Sequence, residues 1–173
     1  MWRTLAVLPL AAVISPAYAK VYLTVEQAQA AMFPGETFSP LVISLDQRQS
    51  SRIERLSGVK SAMRYVAAWR GERGAVFFVD RVIGKHELIT YAVGIDSDAK
   101  IRQIEILEYR EAYGHEVRDA AWRRQFVGKS GSSALRLNDD ISNMSGATLS
   151  CQHVTDGVRR LLALYLIAFR PDA

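Results

Sequence analysis

The 173-residue chain contains one cysteine, Cys151, so no internal disulfide staples it and packing alone must hold it together. A Cys-x-x-Cys-His haem attachment site is missing as well. The three histidines, His86, His115 and His153, follow no metal-ligand spacing. His86-Glu87 opens like a zinc-protease helix, but Thr90 stands where the second ligand is needed, and no metal is expected. Nucleotide loops are lacking too. There is no Gly-x-Gly-x-x-Gly, which argues against a freestanding nicotinamide-dependent reductase. Gly128-Lys129-Ser130 ends like a phosphate-binding loop, yet Arg123 occupies its required glycine. Nor is any apolar run long enough to span a bilayer: Leu161 to Phe169 is only nine residues and is bracketed by Arg159, Arg160 and Arg170. A helix buried against a sheet is the expected use of that run, although part of its surface is available to dock a membrane subunit.

What remains is an ordinary soluble composition, 49% hydrophobic with mixed charges, long enough for one domain with a core and short for two. At the N-terminus, Arg3, the apolar run Leu5 to Ile14, a Ser-Pro break and Ala17-Tyr18-Ala19 read as a secretory leader cleaved after Ala19. Periplasmic export, with the mature chain starting at Lys20, follows. The net charge of +4 drops by one to +3 when Arg3 leaves with the leader. So mild an excess, spread along the chain, excludes a nucleic-acid partner and leaves an anionic partner or membrane surface open.

Periodicity then sets the elements. Thr24 and Gln27 form a capping box for a helix through Ala31, stopped by Pro34-Gly35. A second helix is expected from Asp46 to Leu56, ended by Gly58. Segments Val76 to Ile83, Leu88 to Ile95 and Ile101 to Tyr109 are rich in β-branched and aromatic residues, with turns at Gly84-Lys85 and Asp96-Ser97-Asp98. An antiparallel meander results. A helix around Glu116 to Phe126, a Gly/Ser loop and a long closing helix carrying Val154, Val158, Leu161, Leu162, Tyr165 and Leu166 complete an α+β fold, an antiparallel sheet packed on helices with a small helical N-terminal extension. The boundaries expected are a leader at 1–19, the extension at 20–66 and the main domain at 67–173.

Ser145-Gly146-Ala147-Thr148 lies at the mouth of that closing helix, followed by Leu149 and Ser150. A hydroxyl there meets unpaired N–H groups and the positive end of the helix dipole, which favour a phosphate. Ser145 or Thr148 as a simple helix cap is the competing use. The tetrapeptide resembles the flavin-attachment motif of the FMN-binding domain family, which includes periplasmic subunits of the sodium-pumping NADH:quinone reductase and of the Rnf complex. Glu111-Ala112-Tyr113-Gly114 is similar to its Glu-Thr-Pro-Gly segment, and Trp122, Phe126, Gly128 and Lys129 match its Trp and Phe-x-Gly-Lys pattern.

The resemblance implies FMN as cofactor, joined through its phosphate to Thr148, with a flavin transferase for maturation and a membrane-associated electron-transfer partner. Ser145, Gly146, Ala147, Leu149, Ser150, Glu111, Tyr113, Gly114, Trp122 and Lys129 are the other binding candidates, with Phe126 beside the ring and Arg110 or Lys85 as further cations for reduced flavin. The motif departs from the family at Ser142, where an Asp usually stands six residues before the acceptor. Either Asp140, displaced, or Asn143 takes its place. A non-covalent ligand-binding or sensory module, and an adaptor with a decayed flavin site, stay open beside the electron carrier.

Overall fold

A computed structural model describes residues 20–60, 65–110 and 114–170. The stretch expected to be a leader, Glu111 and Tyr113 lie outside these residues. In chain order the elements are β1 (Lys20–Val21), α1 (Val25–Met32), β2 (Phe38–Ser44), α2 (Gln47–Ser57), β3 (Tyr65–Gly71), β4 (Val76–Ile83), β5 (Leu88–Ile95), β6 (Ile101–Tyr109), a 3-10 helix (His115–Arg118), α3 (Ala120–Arg124) and α4 (Thr148–Phe169). The strands form one antiparallel sheet in the order β1-β6-β5-β4-β3-β2.

The sheet is covered on both faces, which is why β5 is buried nearly throughout. Ile89, Tyr91, Val93 and Ile95 join the main core with α4, whose Val154, Val158, Leu161, Leu162 and Tyr165 lie along its buried side. Each such large apolar side chain contributes about 1.5–3 kcal/mol on burial. The intervening Ala92 belongs to a smaller core with Met32 and Phe33. Gly94 is also small for a packing reason, since a Cβ there would come within 2.6 Å of the Phe33 ring.

A polar contact fixes how α4 sits. Gly157 faces Tyr91, where a Cβ would collide with the phenol hydroxyl and approach its ring carbon to 2.8 Å. That hydroxyl bonds Asp80 at 2.9 Å, and Asp80 pairs with Arg160 one turn further along α4. Burial, reinforced by the Asp80 charge, pushes the Tyr91 hydroxyl well above the usual phenol range, so it remains a donor.

The expected α+β architecture and antiparallel meander are present, and both early helices carry capping boxes, from Thr24 with Gln27 and Asp46 with Gln49. Two elements differ from expectation. Residues 20–66 are not helical alone: they also contribute β1 and β2 and start β3. Pro40 disguises β2, and it is tolerated because β2 is an edge strand. The helix expected over Glu116 to Phe126 breaks at Asp119, whose carboxylate accepts from the N–H groups of Ala121 at 2.7 Å and Trp122 at 3.1 Å and so starts α3 afresh. No helix among the described residues is long and apolar enough to cross a membrane.

Candidate functional site

The start of α4 is open. Ala147 is its N-cap residue, and no side chain caps the helix, so neither Ser145 nor Thr148 serves that purpose. The first N–H to close onto the helix is that of Cys151, which donates to the Ala147 carbonyl at 2.8 Å. The Ala147 N–H is taken by the Met144 carbonyl at 3.1 Å, and the amides of Thr148, Leu149 and Ser150 are the helix start's intrahelically unpartnered donors, with the helix dipole behind them. Ser145, Gly146, Thr148 and Leu149 are exposed, whereas Ala147 and Ser150 are buried beneath them. Gly146 has φ +85°, a turn that an L side chain would strain.

Asn143 reaches the motif directly. Its Oδ1 accepts from the Met144 N–H at 2.8 Å, which turns its Nδ2 toward the Thr148 Oγ1, 3.0 Å away. The amide orientation follows from those partners, because the reverse would set two donors against each other at Met144. The hydroxyl proton of Thr148 is therefore not used by Asn143.

Below the motif, Ser150 Oγ meets the Tyr109 hydroxyl at 3.0 Å in a buried contact. Gly114, with φ +84°, packs on both: a Cβ there would come within 2.7 Å of the Tyr109 hydroxyl and 2.8 Å of Ser150 Oγ. Gly114 itself is thus packed against the first turn of α4. Two residues on, Glu116 lies beside Gly146, and its Oε2 is buried with no hydrogen-bond partner among the described residues. Burial, with the Glu116 charge adding to it, pushes the Cys151 thiol up, so it stays protonated.

Several of the other candidates are engaged with neighbouring residues. Trp122 is 3% exposed and stacks edge-on to the buried Phe126. Its indole N–H donates to the Ser142 carbonyl at 2.8 Å, while Gln125 Oε1 accepts from the Ser142 N–H at 2.7 Å. The backbone where the family places its Asp is clamped by these two side chains, with the Ser142 side chain exposed. Lys129 pairs with Asp140 at 2.8 Å, and Asp140 Oδ1 accepts from the Arg136 N–H at 2.9 Å. Burial works to raise the Asp140 carboxyl, but the Lys129 ammonium and the backbone donors prevail and hold it below the usual range. Arg110 is bound to Glu108. Lys85 sits in the hairpin between β4 and β5, where the Ile83 and Gly84 carbonyls accept from His153 Nδ1. Among the described residues no group of three His, Cys, Asp or Glu side chains is arranged to hold a metal.

Sequence reasoning missed Glu116 and Tyr109 as neighbours of the motif. Nothing in their local pattern marks them, since the fold alone brings them to α4.

Residues 84–163 match the family model of the FMN-binding domain. The chain carries an FMN-binding domain. It is a flavin-binding protein, and FMN is its cofactor. No curated protein sequence matches the chain. The matched stretch runs from the β4–β5 hairpin to the inner part of α4, so the motif, Gly114, Glu116, Asn143, Trp122 and Lys129 all fall within the FMN-binding domain. The residues present suit the cofactor: open helix amides and the Asn143 amide for its phosphate, exposed Leu149 for apolar contact, and the unpartnered Glu116 oxygen for a donor that the ligand supplies.

Proposed function

We propose that this FMN-binding domain carries its FMN covalently, as a phosphoester of Thr148, and relays electrons to or from a membrane-associated partner after export. The observation that carries this reading is the exposed Thr148 hydroxyl at an uncapped helix start, with the Asn143 amide 3.0 Å from its oxygen. When bound, FMN supplies one- or two-electron chemistry. The chain's residues hold and orient it. Asn143 donates to the Thr148 oxygen and steadies the charge that develops there as its proton leaves. The free amides of α4 receive the phosphate, and Glu116 accepts from a hydroxyl of the ribityl chain. Ser142 and Asn143 replace the usual acid in presenting the loop to a flavin transferase, while Asp140 holds that loop in shape through Lys129. With no described helix able to cross a membrane, the domain meets its redox partner at the periplasmic side of the inner membrane.

Intact mass tests attachment. After co-expression with a flavin transferase, the chain gains the mass of FMN less one water, and Thr148→Ala gains nothing. Asn143→Ala is modified at least roughly tenfold more slowly. An unmodified wild-type mass overturns the covalent reading. Yellow protein that releases its flavin on denaturation would instead identify non-covalent binding.

A further inference from the structure

Far from the motif, α2, the loop after Lys129 and the C-terminal part of α4 enclose a groove of about 670 Å³. Its lining is Leu56, Leu166 and Ile167 with Arg52, Arg55, Arg170 and Gly131, and no acidic residue contributes to it. A second hollow of about 380 Å³ shares Arg55, Leu56, Gly131 and Leu166, and adds Arg136, Arg159 and a serine-rich rim, again without an acid. Arg48, Arg52 and Arg55 recur at helical spacing, so α2 presents a cationic stripe. Arg52 and Arg55 are exposed and have no ion pair among the described residues, while Leu56 beside them is 54% exposed. Apart from Gly131, Arg136, Arg159 and their neighbours, this surface is made by α2 and the last turns of α4, outside the match to the FMN-binding domain.

The Arg52 and Arg55 guanidiniums, without an ion pair among the described residues, and Arg170, bound to the neutral Ser97 carbonyl, surround an apolar floor and complement one kind of occupant, a molecule with an anionic head and a hydrocarbon tail. We propose that the groove docks the protein onto a bilayer surface by seating an anionic phospholipid, its phosphate on Arg52, Arg55 and Arg170 and the upper part of one acyl chain on Leu56, Leu166 and Ile167. The contact area and charges act together, as they do for other peripheral anchors. From Thr148 to Ile167 α4 advances about 29 Å at ~1.5 Å per residue, so the flavin end stands clear of the docked surface. The inference does not depend on how FMN is attached.

Vesicle flotation with the full chain tests it. All variants share the same N-terminus, so phosphatidylcholine vesicles set the baseline and phosphatidylglycerol-containing vesicles the signal. Wild type prefers the anionic vesicles, and the Arg52→Glu/Arg55→Glu double variant loses at least about tenfold of that partitioning. Leu56→Ser retains the cations and weakens binding by a smaller factor. Arg81→Glu/Arg124→Glu carries the same charge change on exposed residues away from the groove and keeps most of the binding. The proposal fails if wild type shows no preference for anionic vesicles, if the groove double variant keeps it, or if the control double variant loses as much. Thermal melts of each variant, expected to match wild type, separate lost docking from lost folding.

Discussion

The starts of α1 and α2 differ from the start of α4 in where their free amides go. Thr24 and Asp46 each bond the N3 amide of a short helix, at 3.2 Å and 2.7 Å, and the Gln side chains of the boxes return the favour at 2.8 Å and 3.0 Å. The 22-residue α4 has no such partner. Short helices with little buried surface depend on their ends, whereas α4 is held along its length by the core and by the Tyr91, Asp80 and Arg160 contact. A helix stabilised elsewhere can leave its N-terminus for a ligand.

The comparison breaks first at Gly157. Alanine is favoured over glycine by up to about 1 kcal/mol in a helix interior. Here the collision with Tyr91 reverses the sign, and Gly157→Ala is expected to lose about 3 kcal/mol in urea unfolding. A neutral or stabilised variant would mean that α4 is not seated as described. Next come the caps. Asp46→Ala and Thr24→Ala each lose about 1 kcal/mol by the same measurement, with flavin loading unchanged.

An acid titration sharpens the loop before α4. Because the folded Asp140 carboxyl is depressed, its contribution is fully present above the unfolded value, near ~4, and is lost as pH falls through the lower folded value. The stability gap between wild type and Asp140→Asn, of order 1 kcal/mol at neutral pH, should therefore close only in that acid window. A gap that persists at still lower pH would remove the Lys129 pairing as its cause. The smallest stability effect belongs to Thr148→Ala. With no cap to lose, it stays within about 0.5 kcal/mol of wild type, although it removes the proposed attachment point.

What could be read in the sequence was what local chemistry decides. The Thr24 capping box, Gly58 at the end of α2 and the hairpin strands rich in β-branched and aromatic residues are short-range signals, and they lie where expected. β2 and β3 were not legible. Pro40 interrupts one and Ala67-Ala68 weakens the other, and both exist through pairing with each other and with β4. The site divides similarly. Thr148 and Gly146 form a local motif, and Asn143, five residues before the acceptor, was a visible alternative to the missing acid. Glu116, Tyr109 and Gly114 meet the first turn of α4 only through the fold. Lys129 and Trp122 have clear sequence matches, yet their side chains are engaged with Asp140 and the Ser142 carbonyl.

Gly157 against Tyr91 also limits mobility. With no room at that contact for a bulkier or shifted surface, α4 has little freedom to slide or turn on the sheet, and the Thr148 oxygen keeps a nearly constant position relative to the core. A flavin tethered there would range about a stationary pivot, its reach set by the length and torsions of its own ribityl phosphate arm.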